Sequence, residues 1–176
     1  VGIVIYVAIR FEWRMGLGAI ISLVHDVFFM VAIFSLLRME VDITFVAAVL
    51  TIVGYSINDT IVTFDRIREN VDRAGVISTK EDLANIVNKS LRQTMARSIN
   101  TVLTVIVVVV ALVFLGAPSI QGFSIALLIG LVTGMYSSIC IAVQVWYSLK
   151  SSQMKKSGGQ VVKKEKKQWG SDEPVV

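Results

Sequence analysis

The chain has 176 residues, of which 55% are hydrophobic and 17% charged, with a mean hydropathy of +0.72. A soluble domain would carry about 45–50% apolar and about 25% charged residues, so the composition excludes one. Apolar runs of roughly 20 residues, each ended by charge, instead define an all-α polytopic membrane protein. The net charge of +4 sits in particular loops and points to no nucleic-acid partner. The single cysteine, Cys140, lies inside an apolar run and reads as core packing.

The first segment is the apolar stretch Val1 to Ile9, closed by Arg10-Phe-Glu-Trp-Arg14. Two arginines and a tryptophan at a membrane edge fit an interfacial anchor. The chain opens inside an apolar run without an initiator methionine or a signal-peptide n-region, so it reads as an N-terminally truncated fragment of a longer protein. A second segment runs from about Met15 to Leu37, with His25-Asp26 near its middle, and the polar loop Arg38 to Asp42 follows. A third runs from about Ile43 to Phe64 and contains Asp59. These and two later spans give about five transmembrane helices.

The section 65–97 is charged and amphipathic. Ile67, Val71 and Ala74 keep helical spacing up to Gly75, a helix-closing residue. Ser78-Thr-Lys-Glu81 has the capping-box form that starts another helix, with the apolar stripe Leu83, Ile86, Val87 and Leu91 behind it. The fourth span covers about Ser98 to Leu115, where length and flanks favour a membrane helix despite the β-branched content. The turn Gly116-Ala-Pro-Ser119 breaks it, and the fifth span runs from about Phe123 to Leu149, ending on an interfacial Trp146-Tyr147 belt. Residues 1–149 thus form the bundle. Residues 150–176 read as a basic disordered tail held near anionic headgroups of the bilayer.

Sixteen of the seventeen lysines and arginines lie in three clusters: 10–14, 66–97 and 150–176. Five crossings put those clusters on one face, which the positive-inside rule makes cytoplasmic.

A carboxylate at membrane depth is costly and by default marks a proton relay, an ion path or a partner charge. Asp59 lies seven residues before Arg66, so about 10 Å inside the cytoplasmic end. Ile52, Ser56, Asp59, Thr60 and Thr63 share one stripe, next to Asn58. Arg97, Asn100, Thr101 and Thr104 make a polar stripe on the fourth span at similar depth, so neighbouring helices would bring Arg97 to Asp59. A low-polarity surrounding favours the neutral acid and a guanidinium favours the carboxylate, so a small change of geometry can move a proton. The alternative is a fixed ion pair locking two helices.

Asp26 either joins this polar cluster or makes a helix-locking hydrogen bond. With one histidine, no metal-site spacing exists, and no nucleophile–histidine–acid arrangement marks an enzyme. Two intramembrane aspartates suggest an aspartic protease, but no Gly-x-Gly-Asp motif is present and an arginine is available to neutralise one acid. Gly130, Thr133, Gly134, Ser137 and Ser138 form a small-residue face suited to close helix packing.

Arg10-Phe-Glu-Trp-Arg14, His25-Asp26, Gly54-Tyr-Ser-Ile-Asn-Asp-Thr60 and Asp65-Arg-Ile-Arg-Glu-Asn70 together resemble the SecF family, whose members are partners of SecD or the C-terminal part of a fused SecDF. Leu91 to Arg97 and Gly122 to Gly130 are similar as well, and the resemblance extends from about Val1 to Leu149. It implies the resistance–nodulation–division superfamily, with this chain holding helices two to six of a six-helix half, the first helix and an extracytoplasmic domain lying upstream. It further implies an auxiliary export subunit in the bacterial cytoplasmic membrane, driven by the proton-motive force without a cofactor. The implied partners are SecD, the SecYEG translocon and unfolded preprotein. The family's intramembrane aspartate aligns with Asp59 and its proton-linked arginine with Arg97. A passive scaffold, or a lipid or drug exporter of the same superfamily, is the alternative; the Gly54–Asn70 motif argues against the latter.

Overall fold

The computed structural model describes residues 12–75, 77 and 79–156. The first apolar segment, Arg10 and the tail beyond Lys156 lie outside them. The elements are α1 (Trp13–Leu36), α2 (Ile43–Ala74), α3 (Lys80–Leu115), α4 (Pro118–Ser137), a five-residue π-turn (Ser138–Ala142) and α5 (Val143–Lys156), the last three forming one rod. Four helical stretches among the described residues are long and apolar enough to cross a membrane.

At 1.5 Å per residue α2 and α3 are roughly 48 and 54 Å long, well beyond a hydrocarbon core of about 30 Å. Their Arg-rich ends therefore continue as a helical hairpin instead of forming separate amphipathic helices. Gly75, with φ +71°, closes α2 in a conformation that glycine adopts without a Cβ clash. Inside the hairpin the Asn70 amide donates to Ser90 Oγ (2.8 Å) and Gln93 Oε1 (2.9 Å), and Arg66 Nε donates to the same Gln93 oxygen (2.8 Å).

The helix ends follow local chemistry. At the end of α1 Arg38 takes φ +51°; its N–H donates to Ser35 O and that of Met39 to Phe34 O, while Met39 and Phe34 pack in one cluster. This is a Schellman closure with arginine where glycine is usual. The capping box of α3 falls one residue later than the sequence suggests. Thr79 is the N-cap, accepting from Asp82 N–H while Asp82 accepts from Thr79 N–H (both 3.1 Å). Thr79→Ala should cost about 1 kcal/mol, read as a lower thermal midpoint.

Asp42 caps α2 through the Thr44 hydroxyl (2.7 Å) and the Thr44 and Phe45 N–H groups (3.0 Å each). The Thr44 hydroxyl, then the Phe45 N–H, hold its carboxyl below the ordinary 3.8. A depressed folded value gives stability that is present above the unfolded value and lost as pH falls through the folded one. Hydrogen-exchange protection at Thr44 and Phe45 should accordingly persist above about 3.8 and fade only in stronger acid.

The fifth span starts at Pro118, since proline suits the first helical turn, and runs on to Lys156, into the stretch read as tail. Lys150 reaches Glu12 (3.1 Å), and Arg14 donates to Gln153, so α1 and α5 are tied at this end. Trp146 is 1% exposed and packs with Ile67, Leu83 and Met154 in the core, so it is no interfacial anchor. Cys140 is exposed, because the π-turn directs Ser138 and Ala142 inward and turns the thiol out. Two apolar clusters, one around Ile67 and Trp146 and one around Phe34, Ile52 and Leu127, form the core. Several small polar residues are buried as well, and they compose the site.

Candidate functional site

The α2 stripe that the sequence groups together divides in the fold. Asp59 turns to α3, where Ser98 Oγ donates to its Oδ1 at 2.5 Å. Ser56, Thr60 and Thr63 are buried, with Ser56 and Thr60 turned to α1 and the π-turn. Asp59 Oδ2 is also buried and has no hydrogen-bond partner among the described residues. A cavity of about 10 Å³, the space of one water centre, is lined by Ser56, Asp59, Tyr55, Val102, Gly130 and Gly134. The carboxylate thus has one fixed bond and one oxygen free for a water or a proton donor.

Ser98 is the residue the sequence reading missed. It belongs to the buried α3 stripe Ser90, Thr94, Ser98 and Val102, one residue out of phase with Arg97, Asn100, Thr101 and Thr104. The i, i+4 spacing of those small side chains carried the signal, but the charged residue beside them drew the eye.

Arg97 is exposed on α3 and makes no ion pair within 4.0 Å with a described carboxylate. Asn100 and Thr101 are exposed too. Thr101 and Thr104 return their hydroxyls to the helix, to Arg97 O (2.7 Å) and Asn100 O (2.5 Å). Asn58 is exposed on α2. The structure therefore gathers Asp59, Ser56 and Thr60 around the cavity and its neighbouring seam, and leaves Asn58, Arg97, Asn100 and Thr101 on the bundle surface.

Asp26 is fully buried and accepts from Ser56 Oγ at 2.7 Å. Thr60 donates to Ser138 Oγ (3.0 Å), and Ser138 donates to Ser56 O (3.3 Å). Ser22 donates to Ser137 (3.1 Å). Buried hydroxyls need partners in an apolar medium, and each of these finds one across a helix boundary. The small face of α4 lets the backbones close in. A Cβ on Gly130 would lie 2.4 Å from Ile52 Cγ1, and one on Gly134 would touch Ser56 at 3.3 Å.

Four membrane-length helices around a seam of carboxylates and hydroxyls define a multi-pass membrane protein with a polar interior. Residues 1–152 match the family described as protein export membrane protein SecD/SecF, C-terminal, and the chain belongs to that family. It is 59% identical over 160 residues to the protein translocase subunit SecDF of Bacillus subtilis, covering 91% of this chain and 22% of that one. It is 58% identical over 155 residues to the protein translocase subunit SecF of Alicyclobacillus acidocaldarius, covering 88% and 50%. The fold superimposes on a crystal structure of SecDF in a super-membrane-facing form with a TM-score of 0.81 at 38% identity, over 88% of this chain and 21% of that chain. The chain thus spans half or less of the length of these relatives.

Proposed function

We propose that the chain is the SecF-type membrane portion of a protein-export subunit, in which proton exchange at Asp59 biases the bundle between two arrangements. The observation that carries this reading is Asp59 Oδ2, buried at membrane depth beside a water-sized cavity and without a hydrogen-bond partner among the described residues. A merely structural carboxylate would have both oxygens bonded, since an unsatisfied charge in hydrocarbon is costly. Arg97, one residue from the Ser98 that bonds Asp59, is the nearby cation on which a change of protonation would act. Movement of one proton through about 100 mV releases roughly 2.3 kcal/mol, enough to shift a two-state element strongly.

On this reading the protein lies in the bacterial cytoplasmic membrane, with residues 10–14, 65–97 and the C-terminus cytoplasmic. It works with SecD, or a SecD half of the same chain, beside the SecYEG translocon, and preprotein is held by an extracytoplasmic domain outside this sequence. The energy source is the proton-motive force, with no cofactor. The exposed Arg97, Asn100 and Thr101 stripe supports a polypeptide neighbour, because polar side chains at membrane depth turn to protein or water rather than lipid.

The test uses membrane vesicles with the full-length protein and its SecD partner. Asp59→Asn should assemble normally and lose the increment of export that a protonophore removes from the wild type. An unchanged, protonophore-sensitive increment in Asp59→Asn would leave the Asp59–Ser98 bond as a passive clamp.

A further inference from the structure

Asp26 differs from Asp59 in its surroundings. It is 0% exposed, and among the described residues no lysine or arginine pairs with it. Its Oδ2 accepts from Ser56, and its Oδ1 faces His25 Nδ1 at 3.4 Å. The His25 side chain is 30% exposed, and its Nε2 lies 2.9 Å from Tyr136 Oη. One tautomer satisfies both contacts: Nδ1–H donates to Asp26 while Nε2 accepts from the tyrosine hydroxyl. Phe29 stacks on the imidazole, with centroids 5.8 Å apart, and Tyr136 meets it edge-on at 5.5 Å, so the ring is held in place.

A hydrogen-bonded path therefore starts on the bundle's lateral surface at Tyr136, which is 38% exposed, and reaches the centre at Asp26 and Ser56. Ser138 extends it to Thr60, and the buried, unpartnered Thr63 hydroxyl lies one turn further towards the Arg-rich end. At the join of α4 and the π-turn, Ser137 reaches Ser22 on α1 while the next residue, Ser138, reaches Ser56 and Thr60 on α2. π-turns recur at functional sites.

We propose that His25 and Asp26 form a second proton-exchanging site, opening laterally through Tyr136 and leading along Ser56, Ser138 and Thr60 past the far side of α2 from Ser98. The proposal rests on the reading of Asp59 as proton-coupled and places this branch in series with it, through Ser56, which bonds Asp26 and lines the cavity beside Asp59. Each transfer conserves charge. The imidazole takes a proton at Nε2 from the tyrosine hydroxyl, which regains one from outside, and gives its Nδ1 proton to Asp26 Oδ1. The protonated carboxyl then turns to present that proton to Ser56, which takes it as its own hydroxyl proton passes to Ser138, 3.5 Å away, and the imidazole recovers its first tautomer by a half-turn between transfers. The titratable groups around the node are His25 and Asp26 on α1, Tyr55 and Asp59 on α2, Tyr136 on α4 and Cys140 in the π-turn, with Arg97 on α3 beyond Asp59.

The experiment reads acid-driven proton uptake against pH in vesicles holding the full-length protein and its SecD partner. His25→Phe, which keeps the ring packing and deletes both nitrogens, should slow uptake roughly tenfold and change the shape of its pH profile. Asp26→Asn should do the same and should remove a carboxylic C=O infrared band. If both variants keep the wild-type pH profile, or lose activity equally at every pH in step with lowered thermal stability, the node is structural and the proposal fails. Should Asp26→Asn fail to assemble, His25→Phe, at a partly exposed position, decides alone. Asp59→Asn runs alongside. Wild-type uptake in that variant overturns the underlying reading, whereas its loss combined with an unaltered His25→Phe overturns only the second branch.

Discussion

Arg97→Met is expected to abolish proton-driven export while leaving membrane insertion and assembly intact. Arg97 is exposed on α3, so its removal empties no packed space within the described bundle. It is also the cation one residue from the Ser98 that holds the Asp59 carboxylate. Without it, protonation and deprotonation of Asp59 have little to act on. The bias that about 2.3 kcal/mol supplies at about 100 mV is roughly 50-fold in population, and the protonophore-sensitive increment should fall by about that factor. Arg97→Lys should keep a reduced increment, because the charge survives while the planar fork does not. Vesicle export with and without a protonophore measures both variants.

The second large effect is on stability, at Gly18. A Cβ there would lie 2.7 Å from the carbonyl oxygen of Ala142, the last residue of the π-turn, and 3.5 Å from Phe64. A backbone carbonyl cannot swing away as a side-chain terminus does, so Gly18→Ala has to push α1 off the rod. Overpacking of this kind costs about 1–3 kcal/mol. It should appear as a lower thermal midpoint in detergent and as weaker protection of the π-turn amides. Gly54→Ala and Gly122→Ala are the controls. Nothing lies within 4 Å of either Cβ, and both positions are helical, so alanine there should be neutral or stabilise by up to about 1 kcal/mol. A Gly18→Ala protein as stable as Gly54→Ala would mean that the α1–rod contact is looser than the structure has it.

Much of the fold was legible because membrane helices announce themselves by length and flanking charge. The cores of the four described spans, the turn at Gly116 and the stop at Gly75 all follow from local residues. Helix continuity was less legible. The charge after Phe64 and before Ser98 marks the membrane edge, and a change of solvent does not end a helix when no breaker is present. Trp146 shows the same limit from the other side, since a tryptophan near a charged end packs into the core once the hairpin of α2 and α3 covers it.

The site divides similarly. Asp59 is conspicuous in an apolar run, and the closely packed face of α4 follows from its glycines and serines. Which side of a helix faces which neighbour is a rotation of about 100° per residue, and composition does not fix it. That is why Ser98 rather than Arg97 touches Asp59, and why Ser56 and Thr60 part company with it towards Asp26 and Ser138. The π-turn leaves no mark in Ser-Ile-Cys-Ile-Ala, yet it carries the Ser138 that meets Ser56 and Thr60.

The central claim is that Asp59 exchanges protons within the membrane. The most direct measurement is proton uptake into proteoliposomes of the full-length protein with its SecD partner, followed by an internal pH-sensitive dye under an imposed gradient. Wild-type protein should conduct above protein-free vesicles, and Asp59→Asn, assembled to the same level, should fall to their leak. Uptake by Asp59→Asn at the wild-type rate would contradict the account.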